Sequence, residues 1–208
     1  MARKSLALVT FSSIFFGCVS KSPLYDATSA VSAKTIDKPL VVGIEGLGGG
    51  YSVRNLVSEI AYERDILQSS SAGNPSRHIR YIEEASRKGL PIYLVGFSSG
   101  ANEVRIIADI CQERGINIDT MFFLDPTYIS RPFPKKIPEN VREVVCFLSY
   151  EPDWLVGGAL KKQHLANNSV KLENIEVYSS HLSLPQNQKV KKIIKDKITN
   201  PSSTLAKN

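Results

Sequence analysis

The chain has 208 residues, 42% of them hydrophobic and 22% charged, with 13 Gly and 11 Pro. That is the balance of one globular domain with a full core, not of a disordered chain, a coiled coil or a collagen. Lys and Arg number 26 against 20 Asp and Glu, a formal charge of +6, without any Arg-rich stripe interleaved with aromatics, so no nucleic acid partner is expected. No apolar run reaches the ~20 residues of a spanning helix, which excludes a polytopic membrane protein.

Arg3 and Lys4 precede a mostly apolar stretch from Leu6 to Phe16, about half the length of a span. This is the arrangement of a secretory signal peptide, placed over 1–17. The stretch ends Phe15-Phe16-Gly17-Cys18, which resembles the lipobox of bacterial lipoproteins, where a small residue precedes a cysteine that is lipidated and becomes the mature N-terminus. The family usually has Leu three residues before that cysteine, where this chain has Phe15. The resemblance implies acyl chains on Cys18 that anchor the protein without a spanning helix. It also implies a place in the bacterial cell envelope, facing the periplasm or the extracellular side. Residues 18–37, largely Ser, Ala, Thr and Lys, read as a tether, 38–198 as the domain and 199–208 as a tail.

Within the domain, strands and helices alternate. Leu40-Val41-Val42-Gly43-Ile44 is a short apolar run, as in a strand buried on both faces. A glycine-rich turn follows, and Ser52 opens a helix with Val53, Leu56, Val57, Ile60 and Ala61 on one side. Asn74-Pro75 starts a second helix, Pro at its first position; it carries Ile79, Ile82 and Ala85 inward and ends near Gly89. Pro91 to Val95 is the second strand. The amphipathic helix after it carries Ala101, Val104, Ala108 and Cys111 and stops at Gly115. Thr120–Leu124 and Glu143–Leu148 are the third and fourth strands, and Ile175–Tyr178 a fifth, more exposed one. Val190, Ile193, Ile194 and Ile198 mark a closing helix, whose lysines 189, 191, 192, 195 and 197 read as a solvated face. The alternation predicts an α/β parallel sheet with helices on both faces, a three-layer sandwich. Cys111 and Cys146 fall in apolar surroundings and are expected as buried free thiols, the alternative being a disulfide between them, which an oxidising envelope would permit. No metal-ligand spacing occurs, and neither metal nor cofactor is expected.

Gly96-Phe97-Ser98-Ser99-Gly100 joins the second strand to the amphipathic helix and matches the G-x-S-x-G nucleophile elbow. Reversing from strand to helix in one tight turn needs glycines two residues either side of the serine, where a Cβ would meet neighbouring backbone. Ser98 then projects at a helix N-terminus, whose dipole favours developing negative charge. A serine nucleophile needs a base. His78 is expected on a solvated helix surface and His164 in an exposed loop, while His181 directly follows the last strand, where the order Ser, acid, His requires it. Two carboxylates compete to orient it. Asp125 ends the third strand and is preferred because a buried strand end offers a fixed partner; Asp153, in the loop after the fourth strand, is the alternative. Gly46 to Gly50 follows the first strand, where backbone donors for an oxyanion are expected from Leu47, with Ser99 giving the second.

Residues 38–198 resemble a compact α/β-hydrolase, closest to small lipase-like or thioesterase-like serine hydrolases. The resemblance rests on Gly96 to Gly100, on Leu124-Asp125-Pro126 and on His181-Leu182-Ser183-Leu184-Pro185. Two departures stand out: Glu45-Gly46 replaces the usual His-Gly before the oxyanion loop, and the first strands of the full fold are missing. No lid-sized insertion separates the fourth and fifth strands. The resemblance implies an envelope-anchored serine hydrolase acting on small-molecule carboxylic esters or thioesters, lipids among the candidates, through Ser98, His181 and Asp125. The rival expectation is a catalytically silent lipoprotein that keeps the fold as a binding or structural module.

Overall fold

The computed structural model describes residues 38–46, 52–64, 67–72, 76–127, 136–150 and 158–200, and within 63–76 only the backbone. The expected signal peptide, tether and most of the tail lie outside these residues. Six strands form one sheet: β1 Leu40–Glu45, β2 Leu67–Ala72, β3 Ile92–Phe97, β4 Ile118–Leu124, β5 Val141–Leu148 and β6 Lys171–Glu176. All neighbours are parallel, in the order β2-β1-β3-β4-β5-β6. Four helices complete the alternation: α1 Ser52–Arg64, α2 Ser76–Arg87, α3 Gly100–Glu113 and α4 Gln188–Thr199. The expected start of α2 at Asn74-Pro75 lies outside the described residues.

The side-chain period of two sorts the core strands onto two faces. Val41, Tyr93, Val95, Phe97, Phe122, Leu124, Val145 and Phe147 bury one face against α1 (Val53, Leu56, Val57, Ile60) and α4 (Val190, Ile194, Ile198). The opposite face receives α3 and α2. At Gly96 a Cβ would lie 2.7 Å from Val104 Cγ2 of α3, so glycine lets that helix approach the sheet. The result is the expected three-layer sandwich, with β1, β3, β4 and β5 interior. Gly89 (φ 66°) and Gly115 (φ 67°) end α2 and α3 in the left-handed conformation that favours glycine.

Two strand expectations are corrected. β2 carries Gln68-Ser69-Ser70-Ser71, no apolar run, and it stands at the sheet edge, where one neighbour on one side suffices. β6 runs Lys171–Glu176 rather than Ile175–Tyr178, because its register is set by pairing Glu143 with Lys171 and Leu148 with Glu176. The lysines of α4 are also less solvated than expected. Lys191 is buried and pairs with Glu59 of α1. Lys197 bridges Glu143 at 2.9 Å and Glu173 at 3.1 Å. Burial alone would raise the Glu143 carboxyl, but hydrogen bonds from Lys171 and Lys197 hold it below its ordinary value.

His78 is a further correction, being fully buried rather than solvated. Ile82 lies one helical turn on and Ala85 two, both buried, so His78 belongs to the inward stripe of α2. Burial, helped by Arg77, pushes its imidazole down from 6.5 to about 4. With the folded value below the unfolded one, the unfolded chain binds more protons as the solution is acidified. Stability is therefore full above about pH 6.5 and is lost as pH falls toward about 4. A loss on the order of 3 kcal/mol is expected, read by urea unfolding across that range, and His78→Leu is expected to flatten the slope. Cys111 and Cys146 are buried free thiols, each pushed up to about 12 by burial, which removes their thiolate character near neutrality.

Candidate active site

The order of strands places a switch point between β1 and β3: from β1 the chain steps outward to β2, then returns across to β3. Loops leaving the carboxyl ends of such strands diverge and leave a crevice, the usual ligand position in parallel α/β sheets. Ser98 and Gly46 both lie there. A Cβ on Gly46 would come within 2.7 Å of Ser98 Cβ and 2.8 Å of the Phe97 carbonyl, so the end of β1 runs directly against the serine. At Gly100 a Cβ would stand 2.4 Å from the Ile44 carbonyl oxygen. The first turn of α3 therefore abuts β1, and only glycine permits it.

The elbow itself is built from backbone. Ser98 N–H donates to the Leu124 carbonyl at 2.9 Å, continuing the β3–β4 pairing by one residue. The Ser98 and Ser99 carbonyls then accept from Ala101 and Asn102 N–H at 3.1 Å each, opening α3. Ser98 takes φ 53° to make this reversal, and Asp125 takes φ 42°. Among the described residues these are the two non-glycine positions with positive φ. Such conformations cost about 1–3 kcal/mol each and persist where the surroundings over-determine them.

Asp125 sits one residue beyond β4, and its N–H donates to the Phe147 carbonyl at 2.9 Å. Its carboxylate is fully buried and uses both oxygens: Oδ1 accepts from Ser149 N–H at 2.6 Å, and Oδ2 lies 3.2 Å from His181 Nδ1. The His181 ring packs on Phe97, centroids 4.8 Å apart, so the residue preceding the serine holds the imidazole. Thus the structure brings Asp125 and His181 into contact and sets Ser98 at the same carboxyl edge, next in chain to the ring that His181 packs on. Ser99 is half-buried at the start of α3. Leu47 and Asp153 lie outside the described residues, as does Cys18. The other two histidines are elsewhere: His78 in the core, and half-buried His164 in a 3-10 turn over Lys162–His164, accepting from Lys161 N–H at 3.0 Å.

Two residues at this edge make contacts that the sequence did not assign to them. Thr127 is buried with its Oγ1 3.2 Å from Ser98 Oγ; its place two residues after Asp125 was the available signal. Glu45 is buried too, accepting from Arg54 N–H at 2.9 Å and Ser52 Oγ at 3.2 Å. A carboxylate suits the N-terminus of α1, and it ties that helix to the end of β1 across residues 46–51. Among the described residues no group of three or more His, Cys, Asp or Glu could hold a metal ion, and no helix is long and apolar enough to cross a membrane.

No protein-family model matches the chain, and no curated protein is similar to it in sequence. Solved structures are similar in fold. An esterase from the hyperthermophilic archaeon Pyrobaculum calidifontis superposes with a TM-score of 0.58 at 10% identity, covering 82% of this chain and 78% of that one. A thioesterase of the prodiginine biosynthetic pathway in Streptomyces coelicolor gives 0.51 at 11% identity, covering 80% and 87%. Human thioesterase 2 gives 0.50 at 11% identity, covering 79% and 97%. The chain therefore has the α/β-hydrolase fold, shared with esterases and thioesterases.

Proposed function

We propose that this protein is an envelope-anchored serine hydrolase that cleaves small-molecule carboxylic esters or thioesters through an acyl-enzyme. The observation that carries the reading is the buried Asp125 carboxylate at 3.2 Å from His181 Nδ1, on the strand edge where Ser98 occupies a positive-φ elbow. Because the carboxylate engages Nδ1, that nitrogen carries the proton and Nε2 is left as the basic one. Ser98 Oγ attacks the carbonyl carbon while its proton passes to Nε2, and the imidazolium is stabilised by Asp125. The amides of Leu47 and Ser99 receive the oxyanion. His181 returns the proton to the leaving alcohol or thiol, and water, activated by the same nitrogen, releases the acid.

Turnover of a short-chain aryl ester tests this. It is expected to depend on Ser98. A folded protein that turns over neither ester nor thioester fits a binding module instead. Anchoring is a separate part of the proposal and rests on the position of Cys18 after the apolar segment. Cys18→Ser is expected to move the protein from the membrane fraction to the soluble one, as several acyl chains, not a spanning helix, would hold it. Unchanged partitioning would rule out lipidation as the anchor.

A further inference from the structure

We propose that Thr127 is a positioning residue for the nucleophile: its hydroxyl donates to Ser98 Oγ and so directs the Ser98 proton toward His181. This rests on the hydrolase reading and adds to it a residue outside the triad. Thr127 Oγ1 lies 3.2 Å from Ser98 Oγ, with both side chains buried. On geometry alone either hydroxyl can be the donor. A hydroxyl has one proton and two lone pairs, so a serine that donates to Thr127 cannot also donate to its base. The reactive arrangement is the one in which Thr127 donates and Ser98 accepts.

The threonine is held for that task. Its N–H donates to the Ser98 carbonyl at 3.3 Å, and its own carbonyl accepts from Asn102 Nδ2 at 3.1 Å. Asn102 is buried in the first turn of α3, so the Thr127 peptide is tied both to the elbow and to the helix that the elbow opens. β-Branching then leaves χ1 few alternatives. During attack the Ser98 O–H bond breaks, the proton goes to His181, and the Oγ–carbon bond forms. Thr127 keeps its proton throughout, and its fixed dipole stabilises the negative charge that builds on Oγ before the new bond is complete.

The test compares Thr127→Val with Thr127→Ser in the full chain, using an aryl ester for kcat and KM and a fluorophosphonate to locate the nucleophile. Thr127→Val is expected to lower kcat about tenfold with KM within about twofold, the signature of an interaction that acts on the chemical step. Thr127→Ser, which restores the hydroxyl, is expected to recover kcat to within about threefold of wild type. If the valine variant does not fold, Thr127→Ala carries the same comparison. An unchanged or raised kcat in Thr127→Val, or equal losses in the valine and serine variants, overturns the inference while Ser98 is still labelled. Wild type that is not labelled at Ser98 overturns the hydrolase reading itself, and this inference with it.

Discussion

Asp125→Asn is expected to lower the turnover number by about three to four orders of magnitude with the fold intact. The size of the effect follows from how the carboxylate is used. Both oxygens accept, one from the Ser149 N–H at 2.6 Å and one facing His181 Nδ1 at 3.2 Å. An asparagine has a single oxygen. The Ser149 donor is backbone and cannot be exchanged, so the amide oxygen stays with it and the NH2 turns to His181. Nδ1 must then accept, Nε2 carries the proton, and the imidazole is in the wrong tautomer to take the proton of Ser98. Steady-state kinetics together with a thermal unfolding curve checks both halves of this statement. Asp153→Asn is expected to be mild; the reverse ranking would transfer the acid role to Asp153.

Ser98→Ala and His181→Ala are each expected to abolish ester turnover, by about five to six orders of magnitude, and the double substitution to be little worse than either. The reason is that neither group works without the other: an unactivated hydroxyl is a poor nucleophile, and a base without its serine has no proton to move. Additive losses would show that the two side chains act independently and that the geometry is misread. Kinetics of the two single variants and the double variant, at matched folded fraction, decides it.

The parts of this molecule that were legible from sequence are those where a backbone constraint forces a residue type. Gly96 and Gly100 had to be glycine because α3 packs against β1 and β3 at distances a Cβ would violate, and that requirement made the elbow readable. β1, β3, β4 and β5 are interior strands covered by helices on both faces, which demands continuous apolar runs. β2 and β6 are edge strands, and an edge demands less. Gln68-Ser69-Ser70-Ser71 therefore carries no strand signal, and β6 could not be placed in register without its partner β5. A stripe of Ile79, Ile82 and Ala85 alone leaves His78 at the surface of α2, whereas one turn before Ile82 and two before Ala85 is the buried position that His78 occupies. Thr127 is marked in the sequence only by its place two residues after Asp125, which assigns it no role. Its importance comes from Ser98, 29 positions away, through a contact that only the β3–β4 pairing creates.

Ser98 is proposed as a nucleophile activated at this strand edge. The most direct measurement is reaction of the folded full-length protein with a fluorophosphonate, read by intact mass and by mapping the modified peptide. One adduct per chain is expected, on the peptide carrying Ser98, and none on Ser98→Ala at equal folded content. An adduct that persists in Ser98→Ala, or folded wild type that remains unmodified, would contradict it.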